Sequence, residues 1–131
     1  PLNQLSGLQN GLPTFMVTQH AVAGTRDAQN YITRLDKFPV KFSQTMEGLK
    51  AGEDAGIIPP TFVVEKVLDE MQRFVAATPK EHLLYTSFVE KLDKLPEGTI
   101  DAATRERLLA DVARAVEQSV YPAYRTFIDY Y

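Results

Sequence analysis

Cysteine is absent from this 131-residue chain. That excludes a disulfide framework, a thiol nucleophile and any thiolate metal site, and fits a reducing or an oxidising compartment equally. Long apolar runs are missing too: runs such as Phe62-Val63-Val64 fall far short of the roughly 20 residues that cross a bilayer. No membrane span is expected. Basic charge is not in excess, because 14 Lys and Arg stand against 17 Asp and Glu for a net of -3. Scattered in this way, the charges give no overall footprint for nucleic acid or an anionic membrane surface. There is no strand alternation, fixed-period repeat, low-complexity tract or Asn-x-Ser/Thr acceptor.

What is present is helical patterning. Residues 1–13 form a Gly-, Asn- and Gln-rich lead-in with isolated leucines that match no period. A brief helix is expected over Thr14 to Val22, ended at Ala23-Gly24-Thr25. Ala28, Tyr31, Ile32, Leu35 and Phe38 then follow i, i+3, i+4, i+7 spacing, and the stripe resumes at Phe42, Met46 and Leu49. Pro39 lacks an N–H and disfavours a helical residue before it, so two helices broken near Phe38-Pro39 are expected. Gly52 and Gly56 allow the second to end, and Pro59-Pro60 holds the chain extended before a stripe of Phe62, Val63, Val67, Leu68, Met71, Phe74 and Val75.

Thr78-Pro79-Lys80-Glu81 reads as a capping box with proline at the first helical position. On that reading Thr78→Ala should destabilise the following helix, which carries Leu84, Phe88, Leu92 and Leu95, by roughly 0.5–2 kcal/mol. Pro96-Glu97-Gly98 closes it, and Asp101 caps a last segment whose stripe runs Leu108, Leu109, Val112, Val116, Val120, Tyr124, Phe127, Ile128 and Tyr131. Its length of about 46 Å exceeds a small domain's diameter, and Pro122 is expected to bend it. The fold class is therefore all-α, a single domain or fragment over 1–131 with about five to six helices after the lead-in.

Candidate chemistry is sparse. His20 and His82 are the only histidines, with no second His four residues away and no carboxylate at i+3 or i+4 of either. The H-E-x-x-H pattern that sets two imidazoles on one helix face is absent, and a lone His is far more often structural than a ligand. The adjacent acids Glu53-Asp54 and Asp69-Glu70 point to different helix faces and cannot share a proton. Ser6, Ser43, Ser87 and Ser119 lack a nucleophile elbow, and Gly7-x-x-x-Gly11 lacks the Lys-Ser/Thr of a phosphate loop. Tyr121, Tyr124, Tyr130 and Tyr131 fit core or partner contact better than a pocket. No catalytic, metal or cofactor-binding residue is assigned, and no cofactor is expected in this chain.

Four blocks, in order, carry a resemblance: Pro1-Leu2-Asn3-Gln4-Leu5-Ser6-Gly7-Leu8-Gln9-Asn10-Gly11-Leu12-Pro13, Asn30-Tyr31-Ile32-Thr33-Arg34-Leu35-Asp36-Lys37-Phe38-Pro39, Gly56-Ile57-Ile58-Pro59-Pro60-Thr61-Phe62-Val63-Val64-Glu65 and Ser119-Val120-Tyr121-Pro122-Ala123-Tyr124. Together they resemble the bacterial family catalogued as domain of unknown function 885. The resemblance implies a longer all-helical parent, periplasmic, secreted or lipid-anchored at the envelope, and similar to zinc metallopeptidases. Its H-E-x-x-H helix would lie beyond Tyr131, so no metal or catalytic residue carries over. It implies a non-catalytic segment that helps wall a substrate cleft, with the remainder of the parent as partner, a peptide as substrate and zinc held elsewhere in the parent. The alternative is a self-standing helical scaffold or interaction domain. The start at Pro1, without an initiator Met, and the apolar run into Tyr130-Tyr131 read as marks of a piece of something larger. Tyr124, Phe127, Ile128 and Tyr131 are expected to lie past what a core of this size covers, and self-association through 120–131 is the expected remedy.

Overall fold

A computed structural model of the protein describes residues 12–18, 20–56 and 61–130. All regular structure among them is helical: α1 (Leu12–Thr18), α2 (Thr25–Asp36), α3 (Phe38–Asp54), α4 (Thr61–Phe74), a 3₁₀ turn (Pro79–Glu81), α5 (Leu83–Asp93), α6 (Ala102–Ala115), a π-turn (Val116–Val120) and α7 (Tyr121–Tyr130). The expected α1 begins two residues earlier than its stripe indicated and stops at Thr18, where the Thr18 hydroxyl donates back to the Thr14 carbonyl at 2.7 Å. The rest of the lead-in, Pro59-Pro60 and Tyr131 lie outside the described residues.

The C-terminal run α6–π-turn–α7 is the spine. Its first half packs on α2 and α5, the π-turn meets α2 and α3, and α7 packs on α3 and α4, while α1 lies on α5. The break between α2 and α3 falls as the sequence indicates: Pro39 sits in the first turn of α3, where its missing N–H has no intrahelical acceptor to lose. Gly56 and Gly98 end their segments at φ +85°, a conformation only glycine adopts without strain.

The spine does not run through Pro122 as a plain α-helix. Tyr121 N–H donates to the Val116 carbonyl, five residues back, so one extra residue enters the turn just ahead of the proline. Phase explains its use. Leu108 and Phe127 are 19 positions apart, and at 3.6 residues per turn this leaves them roughly 100° out of line. One inserted residue takes back a single step of about that size. Leu108 and Phe127 are accordingly both buried in one core.

That core closes on aromatic rings. Tyr124 is 0% exposed, stacked on Phe74 at 4.4 Å and 14° and set against Phe42 at 4.6 Å, while Phe127 meets Phe42 edge-on. Tyr124 and Phe127 are thus covered by α3 and α4, which overturns the expectation that they lie uncovered. The long helix is folded over by its neighbours rather than projecting past them. Phe62 is a smaller correction, since at the exposed start of α4 it turns outward and is 73% exposed.

The expected capping box does not form. Thr78 has extended backbone angles but no side-chain cap bond, and Pro79–Glu81 makes only a single 3₁₀ turn. The α-helix starts later, at Leu83, with His82 as its N-cap: His82 Nδ1 accepts the Leu84 N–H at 3.1 Å. The ring is 4% exposed, edge-on to Phe74 at 4.1 Å and Tyr121 at 5.5 Å. This burial against apolar rings lowers its pKa to about 4, with a hydrogen bond to the Phe74 backbone opposing the shift. Asp101 caps α6 as expected, accepting the Thr104 N–H at 2.7 Å.

An imidazole held neutral when folded but free to protonate near 6.5 when unfolded makes the unfolded state the better proton binder. Stability should therefore fall as pH drops from about 6.5 towards 4. His82→Asn, which keeps a cap acceptor without a titration, should flatten that part of a urea-midpoint profile. His82→Ala should cost about 0.5–2 kcal/mol, and Thr78→Ala less than about 0.5 kcal/mol; an unchanged slope in His82→Asn would contradict the assignment.

Deleting Gln118 tests the π-turn. Deletion alone places Pro122 in an ordinary α register and should cost about 3 kcal/mol. Combined with Pro122→Ala, the deletion should recover most of that loss, since Leu108 and Phe127 keep their alignment. Equal thermal midpoints for the single and combined variants would count against the phase argument.

Candidate functional site

The residues with chemical potential fall into separate groups. No cluster of three or more His, Asp or Glu side chains suited to a metal ion occurs among the described residues. Ser87 is buried beside the Tyr31 hydroxyl, which donates to the Leu84 carbonyl at 2.7 Å and ties α2 to α5. Ser119, in the π-turn, donates to Asp36 Oδ1 at 2.7 Å, and Arg114 approaches the other carboxylate oxygen at 3.6 Å. A carboxylate at the end of α2 opposes that helix's dipole, and these two partners from the spine offset it.

The tyrosines are similarly engaged. Tyr121 donates to the Ala77 carbonyl at 2.6 Å, and burial pushes its pKa up to about 12, the charge of Arg125 opposing. Tyr130 donates to Glu53 at 2.8 Å, and Asp69 pairs with Arg73 one turn on. Ser43 lines a cavity of about 340 Å³ between α3 and α7, with Phe42 among its walls and Pro39 and Pro122 on opposite sides.

The second histidine builds a different arrangement. His20 follows α1, where its own N–H donates to the Phe15 carbonyl at 3.1 Å, and its ring is 7% exposed and edge-on to Tyr31 at 5.2 Å. Nε2 lies 3.1 Å from the Asp27 carbonyl oxygen and Nδ1 lies 3.1 Å from an Arg34 terminal nitrogen. A carbonyl can only accept and a guanidinium can only donate, so in this pair of contacts Nε2 donates and Nδ1 accepts. Asp27 also secures the connection by accepting the Ala23 N–H on Oδ2 at 3.0 Å.

Arg34 is thereby held in place. Its guanidinium lies over the Phe15 ring, 4.9 Å from the centroid, and one of its terminal nitrogens is tied to His20. Two adjoining cavities meet there, both lined by Phe15, Arg34 and Lys37. One, of about 470 Å³, is polar and carries Asn30 and Thr33; the other, of about 390 Å³, is floored by Leu12, Met16 and Phe38 with Lys41 at its edge. This trough over α1, α2 and α3 is the candidate site. Helical spacing alone could have grouped Arg34, Lys37 and Lys41, but His20 reaches them only through the loop after α1, which no period marks.

The family model for "Bacterial protein of unknown function (DUF885)" matches residues 1–131. No curated protein matches the sequence. A solved crystal structure, described as "the putative lipoprotein from Colwellia psychrerythraea", matches with a TM-score of 0.86 and 22% identity over 91% of this chain. The match covers 20% of that structure's own length. At this identity the likeness shows the fold. No helix of the described residues is long and apolar enough to cross a membrane.

His20→Phe should keep the edge contact with Tyr31 while removing both ring hydrogen bonds. The expected loss is about 1–2 kcal/mol, because two side-chain hydrogen bonds are given up, one of them to the charged Arg34. Side-chain relaxation of the Arg34 Nε–H should shift from rigid to mobile in the same variant. An Arg34 signal as ordered as in the parent chain would mean that His20 does not hold the guanidinium.

Proposed function

The chain belongs to the bacterial DUF885 family, and from that premise we propose that it is a non-catalytic helical segment of a longer, envelope-associated protein, where it helps to wall a substrate cleft. One observation supports this reading above others: both imidazoles are occupied by the fold. His20 has one ring nitrogen on the Asp27 carbonyl and the other on Arg34, and His82 caps α5 with Nδ1 while burial keeps it neutral. Neither offers a lone pair to a metal or a proton acceptor to a substrate without dismantling a helix start or a loop. Chemistry in the parent would then come from other sequence, and a peptide substrate with zinc-dependent hydrolysis is the activity we propose for it.

The lipoprotein description of the Colwellia psychrerythraea structure supports the envelope location. Closure of the aromatic core within this chain favours a second reading, a self-standing helical interaction domain, since Tyr124 and Phe127 need no further partner to be buried. The two readings share the absence of chemistry here and differ in what the parent contributes.

Metal analysis after dialysis against zinc, paired with peptide-hydrolysis assays on this chain and on its full-length parent, tests the proposal. The chain should retain well under one equivalent of zinc and cleave nothing, whereas the parent should retain zinc and cleave. One equivalent held by this chain and lost in His20→Ala or His82→Ala would overturn the non-catalytic assignment. A parent without zinc or hydrolysis would overturn the cleft reading and leave the interaction domain.

A further inference from the structure

We propose that the trough over α1, α2 and α3 is a receptor for a single-chain apolar carboxylate, its head held by Arg34 and Lys37 and its body lying along Leu12, Met16 and Phe38. The inference goes beyond the role proposed above and does not depend on a catalytic parent. It starts from the positioned guanidinium. Arg34 is fixed from two sides, by the Phe15 ring beneath it and by the His20 nitrogen beside it, and His20 is itself fixed by a backbone carbonyl. An arginine tied in this way has lost the rotamer freedom that an anion would otherwise have to remove on binding.

Among the described residues no carboxylate lies within ion-pair distance of Arg34, Lys37 or Lys41, although the chain as a whole carries a net charge of -3. Among the described residues the Arg34 fork makes one hydrogen bond, from a terminal nitrogen to His20, and its other terminal nitrogen and Nε, both donors, bond to none of them. Lys37 and Lys41 follow one and two turns further along the same wall, both exposed. Three cations along one trough repel one another mildly, and an anionic head relieves that repulsion as it binds.

Chemistry differs along the trough in the sense an amphiphile needs. Asn30 and Thr33 add hydrogen-bonding groups at the head end, while Leu12, Met16 and Phe38 supply an apolar floor. Each cavity, at about 470 and 390 Å³, is of the size that holds a small molecule. Asp27 also lines the head end and, among the described residues there, contributes the one negative charge. It opposes a dianion more than a monoanion, which favours a carboxylate over a phosphate ester.

Calorimetric titration of the full chain with octanoate, octyl phosphate, octanol and acetate, each below its aggregation limit, tests the assignment. Octanoate should bind, weakening with added salt, and acetate and octanol should each bind at least about tenfold more weakly because each lacks one half of the ligand. Arg34→Gln and, separately, the exposed Lys37→Glu should each weaken octanoate about tenfold or more while leaving the far-ultraviolet helical signal unchanged. Arg34→Lys, with charge but no fork, should fall between the parent chain and Arg34→Gln. Octanol binding as well as octanoate, or octanoate binding unchanged in both Arg34→Gln and Lys37→Glu, would overturn the proposal, as would octyl phosphate binding more tightly than octanoate or no octanoate binding at millimolar concentration.

Discussion

The packing of Tyr124 between Phe42 and Phe74 is the contact on which the arrangement of this chain depends. It joins α3 and α4 to the final helix through one buried ring. Offset and tilted aromatic pairs contribute about 0.5–1.5 kcal/mol beyond their burial, and here two of them converge on one side chain. His82 extends the cluster by lying edge-on to Phe74, so the cap of α5 is built into the same set of rings. Burial pushes the Tyr124 pKa well above the usual phenol range, as expected for a hydroxyl withdrawn from water.

Tyr124 reaches that place because of a local irregularity. The π-turn at Val116–Val120 precedes Pro122 and faces the break between α2 and α3, where Pro39 opens the facing helix. Two prolines therefore disturb two neighbouring helices at one level, and Ser119 binds Asp36 across the gap. With the extra residue in place, the buried residues of α6 and those of α7 belong to a continuous core. Without it the final helix would present its aromatic face roughly 100° away from α3 and α4.

Much of this was legible in the residues. The 3.6-residue stripes gave the helices, Pro39 gave the break between α2 and α3, and Asp101 gave the start of α6. The π-turn left a trace as well: Leu108, Val112, Val116, Val120 and Tyr124 recur at strict intervals of four, which drifts by about 40° per step in an α-helix and returns to phase only if a residue is inserted. The capping box misled because Pro79 fixed a 3₁₀ turn and the buried His82 ring, held by Phe74 and Tyr121, supplied the acceptor instead of Thr78. Tertiary burial decided between two local caps, and no short-range pattern carries that information. The candidate site was less legible still, since His20 and Arg34 meet across a loop whose path is set by Asp27.

Native-state hydrogen exchange, read amide by amide across the spine, bears most directly on the claim that this chain forms one core closed by its last helix. If Tyr124 locks α7 onto α3 and α4, amides of Ala123 to Phe127 should exchange with the same opening free energy as those of Tyr31 to Leu35 in α2, near the global unfolding value. Tyr124→Ala should lower both together. Exchange of the α7 amides through a separate low-energy opening, with α2 still fully protected, would contradict the account and place the core in the first half of the spine alone.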